Sequence, residues 1–143
     1  MKYPEDWFNI TDETYVPGEY EVFAFSNKVS GVNEKDVESV ELQISPAYYD
    51  MWLFKKLQDT KVNGQVSVPP SAIYIKIQDL TVGGYPAVRY KDPNPPFIPI
   101  GDFVLVNREN RLTRFVLMGG SPEAVNKYRY SFDQILSTFK FTP

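Results

Sequence analysis

The 143-residue chain contains no cysteine and no histidine, and this decides much of what its side chains can do. Disulfides, thiol catalysis and cysteine-type zinc sites are excluded. The side chain that most often serves as general base or metal ligand is missing as well. Serine, tyrosine, lysine and the carboxylates remain. None of them stands in a Gly-x-Ser-x-Gly turn or a phosphate-binding Gly-rich loop. No catalytic residue, metal or cofactor is expected. A hydrolase using Ser or paired carboxylates is kept as a third reading.

Three acidic pairs invite a calcium reading: Asp12-Glu13, Glu34 with Asp36, and Asp92 with Asp102. Calcium needs about six to eight oxygens, and no pair has EF-hand spacing. All three are expected to be solvated loop charge. Asn9-Ile10-Thr11 has the form of a glycosylation sequon and is expected to be coincidental.

Binding residues are better candidates than catalytic ones. In the proline-rich stretch 91–101, Phe97 and Ile98 are flanked by Pro95, Pro96 and Pro99. Proline lowers the entropy that a loop loses on binding, so a stiff loop with an aromatic tip suits partner recognition. The competing expectation is that Phe97 folds back as a lid. Tyr85, Arg89 and Tyr90, joined by Tyr74, can form an exposed aromatic-and-arginine patch on a hairpin. Tyr48, Tyr49 and Trp52 are read as a helix stripe facing the core, with a partner- or carbohydrate-facing stripe as the alternative.

These residues need elements to position them. Residues 20–27 suit a strand, and 28–37 a loop. Val40, Leu42 and Ile44 alternate with polar residues, which predicts a strand with one buried face. Ser45-Pro46 reads as a helix cap followed by proline, opening a helix over 46–59 with Tyr49, Leu53 and Leu57 on its buried side. Residues 60–71 read as a linker. Ile73, Ile75 and Ile77 predict a third strand, Gly83-Gly84 a turn, and 85–90 the returning strand with Pro86 at its start or edge. Residues 103–106 and 112–118 form a second hairpin, apolar on both sides. Ser121-Pro122 repeats the cap signal and opens a helix over 122–137. Its stripe is Val125, Tyr128, Phe132, Ile135 and Leu136, and an aromatic strand with Phe139 and Phe141 follows.

The fold class expected is α+β: one domain over 1–143, with a central antiparallel sheet of about six to seven strands and helices on both faces. A chain of this length buries roughly 68–70% of its unfolded surface and needs no staple. The net charge of −3 and the lack of a basic face exclude general nucleic-acid binding. No apolar run approaches the roughly 20 residues that span a bilayer.

Four segments resemble the PsbP-like fold, that of the extrinsic P subunit of plant photosystem II, which Ran-binding Mog-type proteins share. They are Tyr3-Pro4-Glu5-Asp6-Trp7, Val22-Phe23 through Phe25-Ser26, Gly84-Tyr85-Pro86-Ala87, and Tyr128 followed by Phe132 to Phe141. The closer likeness is to bacterial exported or lipid-anchored domains. The resemblance implies an α/β/α sandwich and a non-enzymatic binding or accessory domain of the cell envelope, with a protein or small-ligand partner. A leader or lipid anchor upstream of Lys2 is then expected, and membrane attachment only through it. The alternative is an intracellular protein-interaction factor of Ran-binding or secretion-chaperone type. Nothing catalytic carries over, and residues 92–99 depart from the family pattern.

Overall fold

The computed structural model describes residues 4–11, 23–47, 50–69, 71–94 and 98–141. In chain order its elements are β1 (Phe8–Asn9), β2 (Phe23–Ser26), β3 (Val40–Pro46), α1 (Met51–Asp59), β4 (Gln65–Val68), β5 (Ala72–Val82), β6 (Tyr85–Lys91), β7 (Ile100–Arg108), β8 (Arg111–Gly119) and α2 (Pro122–Thr138).

Two tight hairpins set the frame. Gly83 and Gly84 both take positive φ, 59° and 86°, in the two-residue turn between β5 and β6, where Val82 faces Tyr85. Two left-handed residues match the twist of the flanking strands. Glu109 and Asn110 do the same between β7 and β8 at φ 51° and 68°, with Arg108 opposite Arg111. The strands join one antiparallel sheet in the order β1-β2-β3-β8-β7-β6-β5-β4. It has eight strands rather than six or seven.

One extra strand is β4, which pairs with Ala72–Ile75 inside the stretch expected to be a linker. At the other end, the Asn9 side chain accepts the Thr11 amide and hydroxyl, and Thr11 Oγ1 accepts the Ala24 amide. The would-be sequon thus ties the chain to β2.

The first helix starts later than Ser45-Pro46 suggests. β3 continues to Pro46, opposite Thr113, and the Ala47 amide still donates to Leu112. The β8 partner is long enough to hold those residues in the ladder, and a terminal proline removes no needed donor. Only nine residues are left for α1. The expected α/β/α sandwich, with helices covering both faces of the sheet, does not form: α2 braces β3, β7 and β8, whereas the short α1 packs only on a patch beside β4 and β6.

Alternate residues on the strands feed two clusters. Phe25, Leu42, Ala87, Val104, Val106, Phe115 and Leu117 pack with Val125, Phe132, Ile135 and Leu136 of α2. Val88, Tyr90, Leu105 and Leu112 point the other way, to Leu53, Phe54 and Leu57 of α1. Trp52, expected on the buried stripe, is 49% exposed. α2 forms as its sequence dictates: Ser121 Oγ accepts the Ala124 amide, Pro122 follows, and Glu123 lies in the first turn, all favoured at a helix start. The tail beyond it is extended but pairs with no described strand. Phe139 sets its ring edge-on to Phe115, and Phe141 sets its own to Tyr85.

Phe132 is fully buried, so Phe132→Ala should cost about 3–5 kcal/mol. Phe139 is half-buried against the same cluster, and Phe139→Ala should cost less, about 1–3 kcal/mol. Urea denaturation measures both, and equal costs would contradict this packing.

Candidate functional site

A seam of paired charge runs between the sheet and α2. Its geometry begins at Gly101. A Cβ there would lie 2.0 Å from Val125 Cγ1, so only glycine lets α2 approach this closely. Gly101 is also the extra residue of a bulge between Ile100 and Asp102, and bulges re-aim side chains. The next residue, Asp102, is directed into the interface and is only 2% exposed.

Val125, Arg129, Asp133 and Ser137 recur every four residues and so share one edge of α2. Val125 sits on Gly101. One turn on, Arg129 Nε donates to Asp102 Oδ2 at 3.2 Å. Another turn on, Asp133 Oδ1 accepts from Arg89 Nη1 at 2.6 Å. Arg89 Nη2 completes the set on Asp102 Oδ2 at 2.8 Å. The Arg89 guanidinium also lies over the Phe132 ring, 5.1 Å from its centroid. Arg89 is 7% exposed, whereas Asp133 is 50% and Arg129 46% exposed. Burial opposes the Arg89 charge, but the bonds and charge of Asp102 and Asp133 outweigh it, and its pKa is raised. Two cations and two carboxylates cancel, which makes their burial tolerable.

Beside this seam lies a pocket of about 230 Å³, lined by Gln78, Leu80 and Thr81 of β5, Arg89, and Asp133, Leu136 and Ser137 of α2. A larger hollow of about 460 Å³ borders the start of α2, near Val37, Glu38 and Lys127. Its serine is already engaged: Ser121 Oγ caps the helix and donates to the Val37 carbonyl.

A second buried cation serves α1. Lys76 Nζ donates to the carbonyls of Thr60 at 2.7 Å and Gln58 at 3.3 Å and meets Asp79 at 2.8 Å. A lysine at the carbonyl end of a helix opposes its dipole. A bulge between Lys76 and Gln78 accompanies it.

The residues singled out from sequence do not form one patch. Tyr85 meets Phe141, at 5.5 Å between ring centroids. Arg89 and Tyr90 are buried, and as strand neighbours they point to opposite faces. Tyr90 stacks on Phe103 at 4.9 Å, with Tyr74 edge-on at 5.0 Å. Burial pushes the Tyr90 phenol up, with Arg114 opposing. Ile98 is half-buried, and Pro95, Pro96 and Phe97 lie outside the described residues, as do Tyr48, Tyr49, Asp12 and Glu13. Asp102 is no loop carboxylate but a core strand residue. Among the described residues no three acidic side chains gather into a metal-binding group. Asp133 and Arg129 were legible only as polar positions on an amphipathic helix, and their four-residue spacing was the available signal.

No protein-family model matches the chain. No curated protein matches it significantly. Among solved structures, it is similar to the crystal structure of PA94, a protein of unknown function from Pseudomonas aeruginosa. The identity is 11%, the match covers 92% of this chain and 88% of that one, and the TM-score is 0.49.

Removing one partner of a buried ion pair strands the other charge, at about 3–5 kcal/mol. Asp102→Ala should fall in that range by urea denaturation. Asp133→Ala, at the exposed end of the seam, should cost less, about 1–2 kcal/mol. The reverse order would contradict the assignment of Asp102 as the anchor.

Proposed function

We propose that this chain is a PsbP-like binding or accessory domain of the bacterial cell envelope rather than an enzyme. The observation that carries the non-enzymatic reading is the mutual pairing of Arg89, Asp102, Arg129 and Asp133. A catalytic acid or base has to gain and lose a proton during turnover. Here Asp102 is buried and accepts from both Arg89 and Arg129, joining β6 and α2 through β7. These charges are committed to holding the fold, and the polar recess beside them is left for recognition.

The four family-like segments support the PsbP-like assignment by where they fall. Trp7, Phe25, Ala87 and Phe132 lie in one core cluster, against which Tyr85, Tyr128, Phe139 and Phe141 also pack. Trp7 and Tyr128, near opposite ends of the chain, meet edge-to-face at 5.5 Å.

Fractionation of the source organism should recover the protein with the envelope. The purified chain should leave generic ester, phosphoester and glycoside substrates at their buffer rates. Saturable turnover of any of them, or recovery only from the cytosol, would contradict the proposal.

A further inference from the structure

β4 pairs with β5 over Ala72–Ile75, and from there to Val82 β6 is the one strand among the described residues that pairs with β5. The bulge ends at Gln78, and from there to Val82 the register with β6 is regular. In a two-residue hairpin the residues flanking the turn exchange hydrogen bonds, and this alternates down the ladder. Val82, Leu80 and Gln78 therefore bond to β6. The backbone groups of Asp79 and Thr81 face outward, where no described strand pairs with them.

The open edge runs along the pocket against α2. Gln78 and Leu80 form one wall, and Leu136 and Asp133 the other. At about 230 Å³ the space suits a single side chain better than a drug-sized ligand, which needs about 300–1,000 Å³. Two ion pairs border this stretch of β5: Arg89–Asp133 at the pocket and, toward α1 on the other face, Lys76–Asp79. In both the cation is buried, at 7% and 2% exposure, and the carboxylate is the partner that meets solvent, at 50% and 62%. Leu80 and Leu136 offer an apolar wall of the kind that the methylene stem of a long cation covers.

We propose that this edge receives an extended basic peptide as an added strand, bonded to the backbone of Asp79 and Thr81, with a Lys or Arg side chain in the pocket near Asp133. Strand addition supplies affinity through main-chain bonds and specificity through alternate side-chain pockets. This inference rests on the reading of the chain as a binding domain and names its partner.

The probe is an acetylated, amidated hexapeptide of alternating valine and lysine, titrated into the full chain and followed by amide chemical shifts. Shifts should centre on Gln78–Val82 and on Asp133–Ser137. A peptide with glutamate in place of lysine should bind at least about tenfold more weakly. Thr81→Pro removes an outward amide that β6 does not use, and proline is tolerated at such edge positions. That variant should keep its melting temperature and lose at least about tenfold in affinity. If it fails to fold, a peptide N-methylated on the backbone positions facing β5 makes the same cut on the unaltered protein, with the same loss expected. No shifts at millimolar peptide, equal affinity for the glutamate peptide, or indifference to both edge blocks would overturn the proposal. Any of these results alongside envelope recovery and catalytic silence would remove the edge site alone, leaving the binding-domain reading in place.

Discussion

A full positive charge at Arg89, 7% exposed, has to be neutralised where it sits, and that requirement organises the α2 side of the molecule. An unpaired charge in such a place costs several kcal/mol. Arg89 finds Asp102 on the neighbouring strand and Asp133 on the helix. The three can meet only if α2 has one rotation and one position along the sheet. Apolar packing of Phe132, Ile135 and Leu136 supplies most of the driving force, but apolar contact alone tolerates sliding. The ion pairs fix the register. Gly101 belongs to the same constraint, because Val125 occupies the volume that any side chain there would need.

Lys76 does for α1 what Arg89 does for α2, by a different route. It reaches the helix through backbone carbonyls and leaves its own carboxylate, Asp79, in solvent. Both helices are thus tied to the sheet by buried cations on neighbouring strands, β5 and β6. In the Lys76–Asp79 and Arg89–Asp133 pairs the cation is drawn inward and the carboxylate faces solvent, whereas in Arg129–Asp102 the carboxylate is the buried partner.

The hairpins and α2 were legible because their signals are local. Gly83-Gly84 demands positive φ, Ser121-Pro122 caps a helix, and a double-sided apolar run needs cover. Ser45-Pro46 carries the same cap signature and was misleading, because the decisive competitor is non-local: the length of β8, which holds Pro46 opposite Thr113. In β5, the alternation of Ile73, Ile75 and Ile77 marked a strand without fixing which residues it buries. Ile73 is exposed and Lys76 is buried. The bulge after Lys76 shifts the alternation, and the helix end that receives the ammonium lies sixteen to eighteen residues back in the chain. The candidate site was the least legible part. Arg89 looked like a surface residue and Asp102 like loop charge. Arg89 pairs with Asp102 and Asp133, 13 and 44 positions away, which no local pattern encodes.

Asp102 and Asp133 clamp Arg89 between sheet and helix. The most direct measurement is a guanidinium-detected proton–nitrogen spectrum of the protein near neutral pH. A clamped Arg89 should show separate Nη1 and Nη2 signals, in slow rotation and protected from solvent exchange. A single averaged Nη signal for Arg89, exchanging as fast as that of an exposed arginine, would contradict the account.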